Sequence, residues 1–155
     1  MHFVHSPMTF NTYPKLDVAC QQLETALRLF FETEEYFSVI TLAGAAEEIL
    51  GAHLKIKGEI TSLESLVQGA VRISEALAGT PSEPKAIRKI ANHAKNSSKH
   101  MDDETDATFR AYPKRDASDI LSRAIDNYYD LMSDLDIPET TLVQRFNLYR
   151  VSNNA

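Results

Sequence analysis

Residues 84–101 carry five cations, two histidines and two asparagines without a single carboxylate: Lys85, Arg88, Lys89, Asn92, His93, Lys95, Asn96, Lys99 and His100. These residue types suit work on an anion. Arginine offers a planar, bidentate donor to phosphate or carboxylate, and histidine can give or take a proton near neutrality. Read as one straight helix, the segment divides into three stripes. Ile87, Ile90, Ala91, Ala94, Ser98 and Met101 form an apolar one. Arg88, Asn92, Lys95 and Lys99 follow at i, i+4, i+7 and i+11, and Lys89, His93, Asn96 and His100 repeat that spacing beside them. Asparagine costs helix propensity, so two in mid-helix point to hydrogen-bonding work. The plain alternative is a solvated face beside the acidic run Asp102, Asp103, Glu104 and Asp106, whose backbone the amides and imidazoles would satisfy.

Spacing limits what these residues can do together. His93 and His100 are seven residues apart, roughly 10 Å along a helix axis, too far to meet at one metal ion. Glu48 and His53 miss the Glu-x-x-His spacing of bundle metal centres. A site joining Glu47, His93 and a ligand from a third helix stays open, but no metal site is assigned and no cofactor is expected. On a helical projection Glu47 falls between Ile40 and Leu54. A carboxylate that is partly buried there needs a partner, with Arg88 or His93 the candidates. His53, among Leu42, Ala46, Ile49 and Leu50, reads as a core histidine, Cys20 as packing, and His2 and His5 belong to an N-terminal arm. Nucleophile elbow, phosphate-cradling glycine loop and dinucleotide fingerprint are all missing.

The elements that must position these residues are helices. Residues 1–14, with Pro7 and Pro14, form the arm; residues 15–150 form one all-α domain; residues 151–155 fray. Leu16, Ala19, Cys20, Leu23, Ala26, Leu27 and Phe30 mark an amphipathic helix over 15–32. Residues 34–57 are apolar around nearly the whole circumference, which makes them the central helix. Gly44 and Gly51 lie two turns apart on one strip of it, for close packing within the bundle or a dimer seam. Thr61 and Glu64 open a third helix as a capping box, and Ser82 with Pro84 open the polar one. A loop of about fifteen residues follows, its TFRAY core allowing extended backbone; such loops are often functional. A further helix starts at Asp116 or Ser118 and runs to Leu135, and Pro138 opens a short last one. The expected result is a bundle of about five helices.

Composition sets the outer bounds. The 155 residues suffice for one sizeable core, and 43% hydrophobic with 25% charged residues is ordinary for a globular domain. A net charge of −6 argues against general affinity for nucleic acid or membrane, while the local cations could still attract an anion at one place. A single cysteine fits a reducing compartment. No uninterrupted apolar run has the length of a membrane helix and the first residues lack the pattern of a signal peptide, so a cytoplasmic location is expected.

Arg88 to His93, Arg-Lys-Ile-Ala-Asn-His, matches the R-x4-6-H pattern of HEPN domains. The wider run IRKIANHAKNSSKHMDD, with LDVACQQLETALRLFFE and FSVITLAGAAEEILGAHL ahead of it, resembles an uncharacterised bacterial HEPN-like group marked by an N-x-x-K-H element, matched by Asn96, Lys99 and His100. The resemblance implies a helical bundle that forms a homodimer. It also implies metal-independent ribonuclease chemistry, with Arg88 and His93 as catalytic residues at a cleft between protomers. Lys89 takes the place of the polar residue that usually follows the arginine. Lys89, Asn92, Asn96, Lys99, His100 and Glu47 are then candidates for binding RNA or a nucleotide. On a straight helix Arg88 and His93 point roughly 140° apart, so aiming both at one phosphate takes a second protomer or a kinked helix. The competing expectations are a non-catalytic interaction or regulatory bundle, and a bundle that binds a small molecule or metal.

Overall fold

Helix Lys15–Glu32 (α1) forms on the expected spacing, burying Ala19, Leu23, Ala26, Leu27 and Phe30. The computed structural model describes residues 10–153, so the first nine residues of the arm, His2 and His5 included, lie outside it. Helix Tyr36–Ile56 (α2) is the centre of the fold, packed against α1 on one side and helix Pro113–Met132 (α6) on the other. By length and composition alone α2, with a mean hydropathy of 1.2, would pass for a membrane span, but it is the core helix of this bundle. Gly58, at φ +78°, ends its run with a left-handed residue that a side chain would strain. Leu23, Leu27, Ile40, Leu50, Leu54, Ile120, Leu121, Ile125 and Leu131 fill the space between these three helices, and Phe146 seals it from helix Thr141–Asn153 (α7).

Outside this core lies a hairpin. Helix Ser62–Ala78 (α3) starts where Thr61 Oγ1 accepts the Glu64 backbone N–H at 3.2 Å, half of the expected capping box. The other half is not used, because the Glu64 carboxylate is engaged by Arg88. Gly79, at φ +73°, closes α3, and Pro84 occupies the first turn of helix Pro84–Ala91 (α4), with Glu83 rather than Ser82 at the cap. α3 buries Val67 alone and α4 buries nothing completely.

All-α is what the sequence implied, and among the described residues there is no strand. The count differs, since the described residues form seven α-helices where about five were expected. The polar helix over 84–101 is two helices, α4 and His93–Ser97 (α5), broken at Asn92 (φ −101°, ψ 3°) and ended before Lys99. The TFRAY stretch pairs with no strand, and the loop holds a single 3-10 turn, Glu104–Asp106. α6 begins earlier than expected, at Pro113, where the Asp116 carboxylate accepts the Tyr112 N–H at 2.7 Å. α7 begins at Thr141 instead of Pro138, whose carbonyl accepts the Tyr128 hydroxyl, and stays helical through Asn153. The glycine strip of α2 serves packing within the protomer. Gly44 lies under the Lys95 stem, and Gly51 faces Thr61 and Asn127.

Candidate functional site

The break at Asn92 has an identifiable cause in α6. Arg123 Nη1 donates to the Ala91 carbonyl at 2.8 Å and Nη2 to Asn92 Oδ1 at 3.1 Å. A guanidinium that captures a helix carbonyl takes that group out of the i→i−4 ladder and turns the chain. The other side of the same guanidinium meets Glu47, Nε to Oε1 at 2.8 Å and Nη2 to Oε2 at 3.2 Å. Lys95 Nζ completes the cluster, 3.2 Å from Glu47 Oε2 and 2.9 Å from Glu48 Oε1. Glu47, Lys95 and Arg123 are all about 95% buried. Burial pushes the Glu48 carboxyl up, but its bond to Lys95 outweighs this and holds it below the ordinary range. Asn127, buried beside them, donates to the Glu47 carbonyl at 3.3 Å and accepts the Ser62 N–H at 2.8 Å, tying α2 to the start of α3.

This overturns one expectation. Glu47 is partnered by neither Arg88 nor His93, but by Arg123 and Lys95. Of the stripe Arg88, Asn92, Lys95 and Lys99, Lys95 is buried, Arg88 and Asn92 are half-buried and Lys99 is exposed. Arg88 donates to Glu64 through Nε at 2.9 Å and Nη2 at 2.7 Å. Lys99 lies 4.0 Å from Glu48. Of the apolar stripe, Ala94 is buried and Ile87, Ala91 and Ser98 are half-buried, while Ile90 and Met101 are exposed.

The opposite face of α4 and α5 borders a half-open cleft of about 1130 Å³ between α3, α6 and the loop before it. Leu66 and Ala70 of α3 with Ile87 and Ile90 of α4 make an apolar wall. Lys89, His93, Arg110, Tyr112, Arg115, Asp116, Asp119, Arg123 and Asp126 supply the titratable groups. His93 Nε2 is 3.1 Å from the Arg110 carbonyl. A carbonyl only accepts, so Nε2 carries a proton and Nδ1, 3.5 Å from Ser97 Oγ, is the basic nitrogen of the neutral ring. Phe109 packs edge-on against the imidazole at 6.2 Å, and the Arg115 guanidinium lies 4.6 Å over the Tyr112 ring. Partial burial pushes the Asp119 carboxyl up, aided by Asp116, against the pull of Arg115 and Arg123.

Of the residues singled out in the sequence, the cleft brings together Lys89 and His93. Arg88 is not among its lining, and Asn92 is spent on Arg123. Asn96 and His100 are exposed outside it, and His53 is half-buried in the last turn of α2. Among the described residues no group of three or more His, Cys, Asp or Glu side chains is placed to hold a metal ion. Arg110, Arg115, Asp119 and Arg123 were not anticipated. For Arg123 a signal existed, since it interrupts the inward face Ile120, Ala124 and Asn127 of α6. Compared with known proteins, the chain matches no family model, no curated protein and no solved structure.

Proposed function

We propose that this chain is a HEPN-like bundle that engages RNA or a nucleotide in the cleft between α3, α4 and α6, with His93 as its proton-transfer group. One observation carries this: His93 lines a cleft of about 1130 Å³ together with Lys89, Arg110 and Arg115 and the apolar Leu66, Ala70, Ile87 and Ile90. Cations hold the phosphate while an aliphatic wall and the Tyr112 ring receive the base, the division of labour that nucleic-acid sites use. If the ligand is cleaved, His93 Nδ1 takes the proton of the 2′-hydroxyl. That oxygen attacks the adjacent phosphorus and the bond to the 5′-oxygen breaks, the leaving oxygen taking a proton from solvent, which gives a 2′,3′-cyclic phosphate and a 5′-hydroxyl end. Arg110 or Arg115 then stabilises the charge on the phosphate. Arg88, bound to Glu64, holds α4 against α3 in this scheme.

Asp116, Asp119 and Asp126 in the same cleft favour a second, non-catalytic reading, in which the groove receives a partner that carries cationic groups of its own. RNA cleavage in the presence of EDTA separates the two. Wild type is expected to cleave, His93→Ala to lose at least a hundredfold in rate, and His100→Ala to match wild type. Cleavage that survives His93→Ala removes the catalytic proposal. If wild type neither cleaves RNA nor binds it by fluorescence anisotropy, the partner reading stands in its place.

A further inference from the structure

Asp119 stands on α6 between two arginines and pairs with neither. Arg115 and Arg123 lie four residues before and after it, the spacing at which helical ion pairs form. Yet Arg123 spends its guanidinium on Glu47, the Ala91 carbonyl and Asn92, and Arg115 lies over the Tyr112 ring. Among the described residues no hydrogen bond or ion pair reaches the Asp119 carboxylate, which feels these cations only at a distance. The other two carboxylates of the cleft are engaged. Asp116 accepts the Tyr112 N–H at 2.7 Å, and Asp126 accepts Arg150 at 2.6 Å and the Ser62 hydroxyl at 3.3 Å. Among the described residues of the cleft, Asp119 is therefore the carboxylate with both oxygens open to a ligand.

On the reading of the cleft as a site for RNA or a nucleotide, on which this assignment rests, we propose that Asp119 selects guanine. Its two oxygens accept the N1–H and the N2 amino group of a guanine base seated in the cleft. An ionised carboxylate is an acceptor at both oxygens, so it matches an edge that offers two adjacent donors. Of the four bases, guanine has that edge. Adenine and cytosine set a ring-nitrogen acceptor beside the amino group, and uracil flanks its N–H with two carbonyls. Each of these turns a lone pair toward a carboxylate oxygen, which disfavours it. Arg115 precedes Asp119 by four residues, roughly 6 Å along the helix axis, so a cation for the phosphate stands beside the anion that reads the base. Leu66 and Ile90 give the ring an apolar face. A guanidinium from a protein partner also offers paired donors, but Lys89, Arg110 and Arg115 in the same cleft oppose a cation and attract a phosphate.

Calorimetric titration of the full chain with nucleoside 5′-monophosphates is expected to show GMP binding about tenfold or more tighter than AMP, CMP or UMP. IMP, which lacks the N2 amino group, should fall between GMP and AMP. Asp119→Asn presents one acceptor and one donor, the complement of the N1–H and C2 carbonyl of xanthine. That variant should lose the preference for GMP and bind XMP more tightly than wild type does, a gain that damage to the fold would not produce. Equal affinity of wild type for GMP and AMP, or a GMP preference that survives Asp119→Asn, overturns the guanine assignment and leaves the RNA reading to the cleavage assay. Wild type that cleaves RNA but binds no monophosphate overturns the assignment in the same way. Binding of N-acetylarginine amide in place of GMP overturns it in favour of a cationic partner.

Discussion

The two faces of the α4–α5 segment are built on opposite terms. Toward α2 and α6, Arg123, Lys95, Glu47 and Asn92 bond one another within a buried cluster, and little of it is left for a ligand. Toward the cleft, Lys89 and His93 stand in solvent, with the imidazole held by the Arg110 carbonyl, Ser97 and the edge of Phe109. Buried charges hold position because leaving any one of them unmatched is costly. Exposed ones give up that rigidity and remain available to something that arrives. The difference sets a fixed side and an open side on one short segment.

The buried side should break hardest. Glu47→Ala strands Arg123 and Lys95 without their shared counter-charge, and the expected loss is about 3–5 kcal/mol in urea denaturation. A loss below about 1 kcal/mol would mean that the cluster is hydrated rather than desolvated. His93→Ala, on the open side, should leave the same denaturation midpoint where it is.

Glycines sharpen the comparison at lower cost. A Cβ at Gly44 would sit 2.6 Å from Lys95 Cδ and 2.8 Å from Cγ. Lys95 must then shift off Glu47, so Gly44→Ala should cost about 1–3 kcal/mol, the range of an overpacked core. Gly69 lies in mid-helix with open space around it, and Gly69→Ala should stabilise the protomer by about 1 kcal/mol from helix propensity alone. Opposite signs for one chemical change, read by thermal melting of the two variants, would confirm which glycine the packing requires. Arg88→Ala should move the melt little, but amide exchange across α4 should quicken, because the Glu64 pair fastens the hairpin.

Local rules made the first half of the chain legible. The apolar period of α1, the all-round apolarity of α2 and the Thr61 cap are written within a few residues of where they act. The break at Asn92 was not, because its cause is Arg123, 31 residues onward. Lys95 looked like a surface cation for the same reason: its carboxylate, Glu47, lies 48 residues back. The sequence did announce that Glu47 needed a cation. It did not say which, and the nearest polar helix drew attention from an arginine set into the inward face of α6. Site composition followed the same division, with His93 and Lys89 visible as unusual helix residues while Arg110, Arg115 and Asp119 joined them only through tertiary folding.

The smallest expected effect tests the open side itself. Asp119 has its carboxyl raised chiefly by partial burial, with Asp116 adding to the rise and Arg115 and Arg123 only partly offsetting it. A carboxyl whose pKa is higher in the fold than in the unfolded chain favours the folded state while protonated, and that contribution is lost as pH rises through the folded value. At neutral pH the wild-type protein therefore carries an ionised group the cleft does not welcome. Asp119→Asn keeps the shape and removes the charge, so its melting temperature should lie slightly above wild type at pH 7. The gain should vanish on acidification, once both proteins hold a neutral group there. A variant less stable than wild type at pH 7 would show that Arg115 or Arg123 needs the Asp119 charge. The cleft would then be ion-paired like the buried face, and the contrast between the two sides of α4–α5 would be lost.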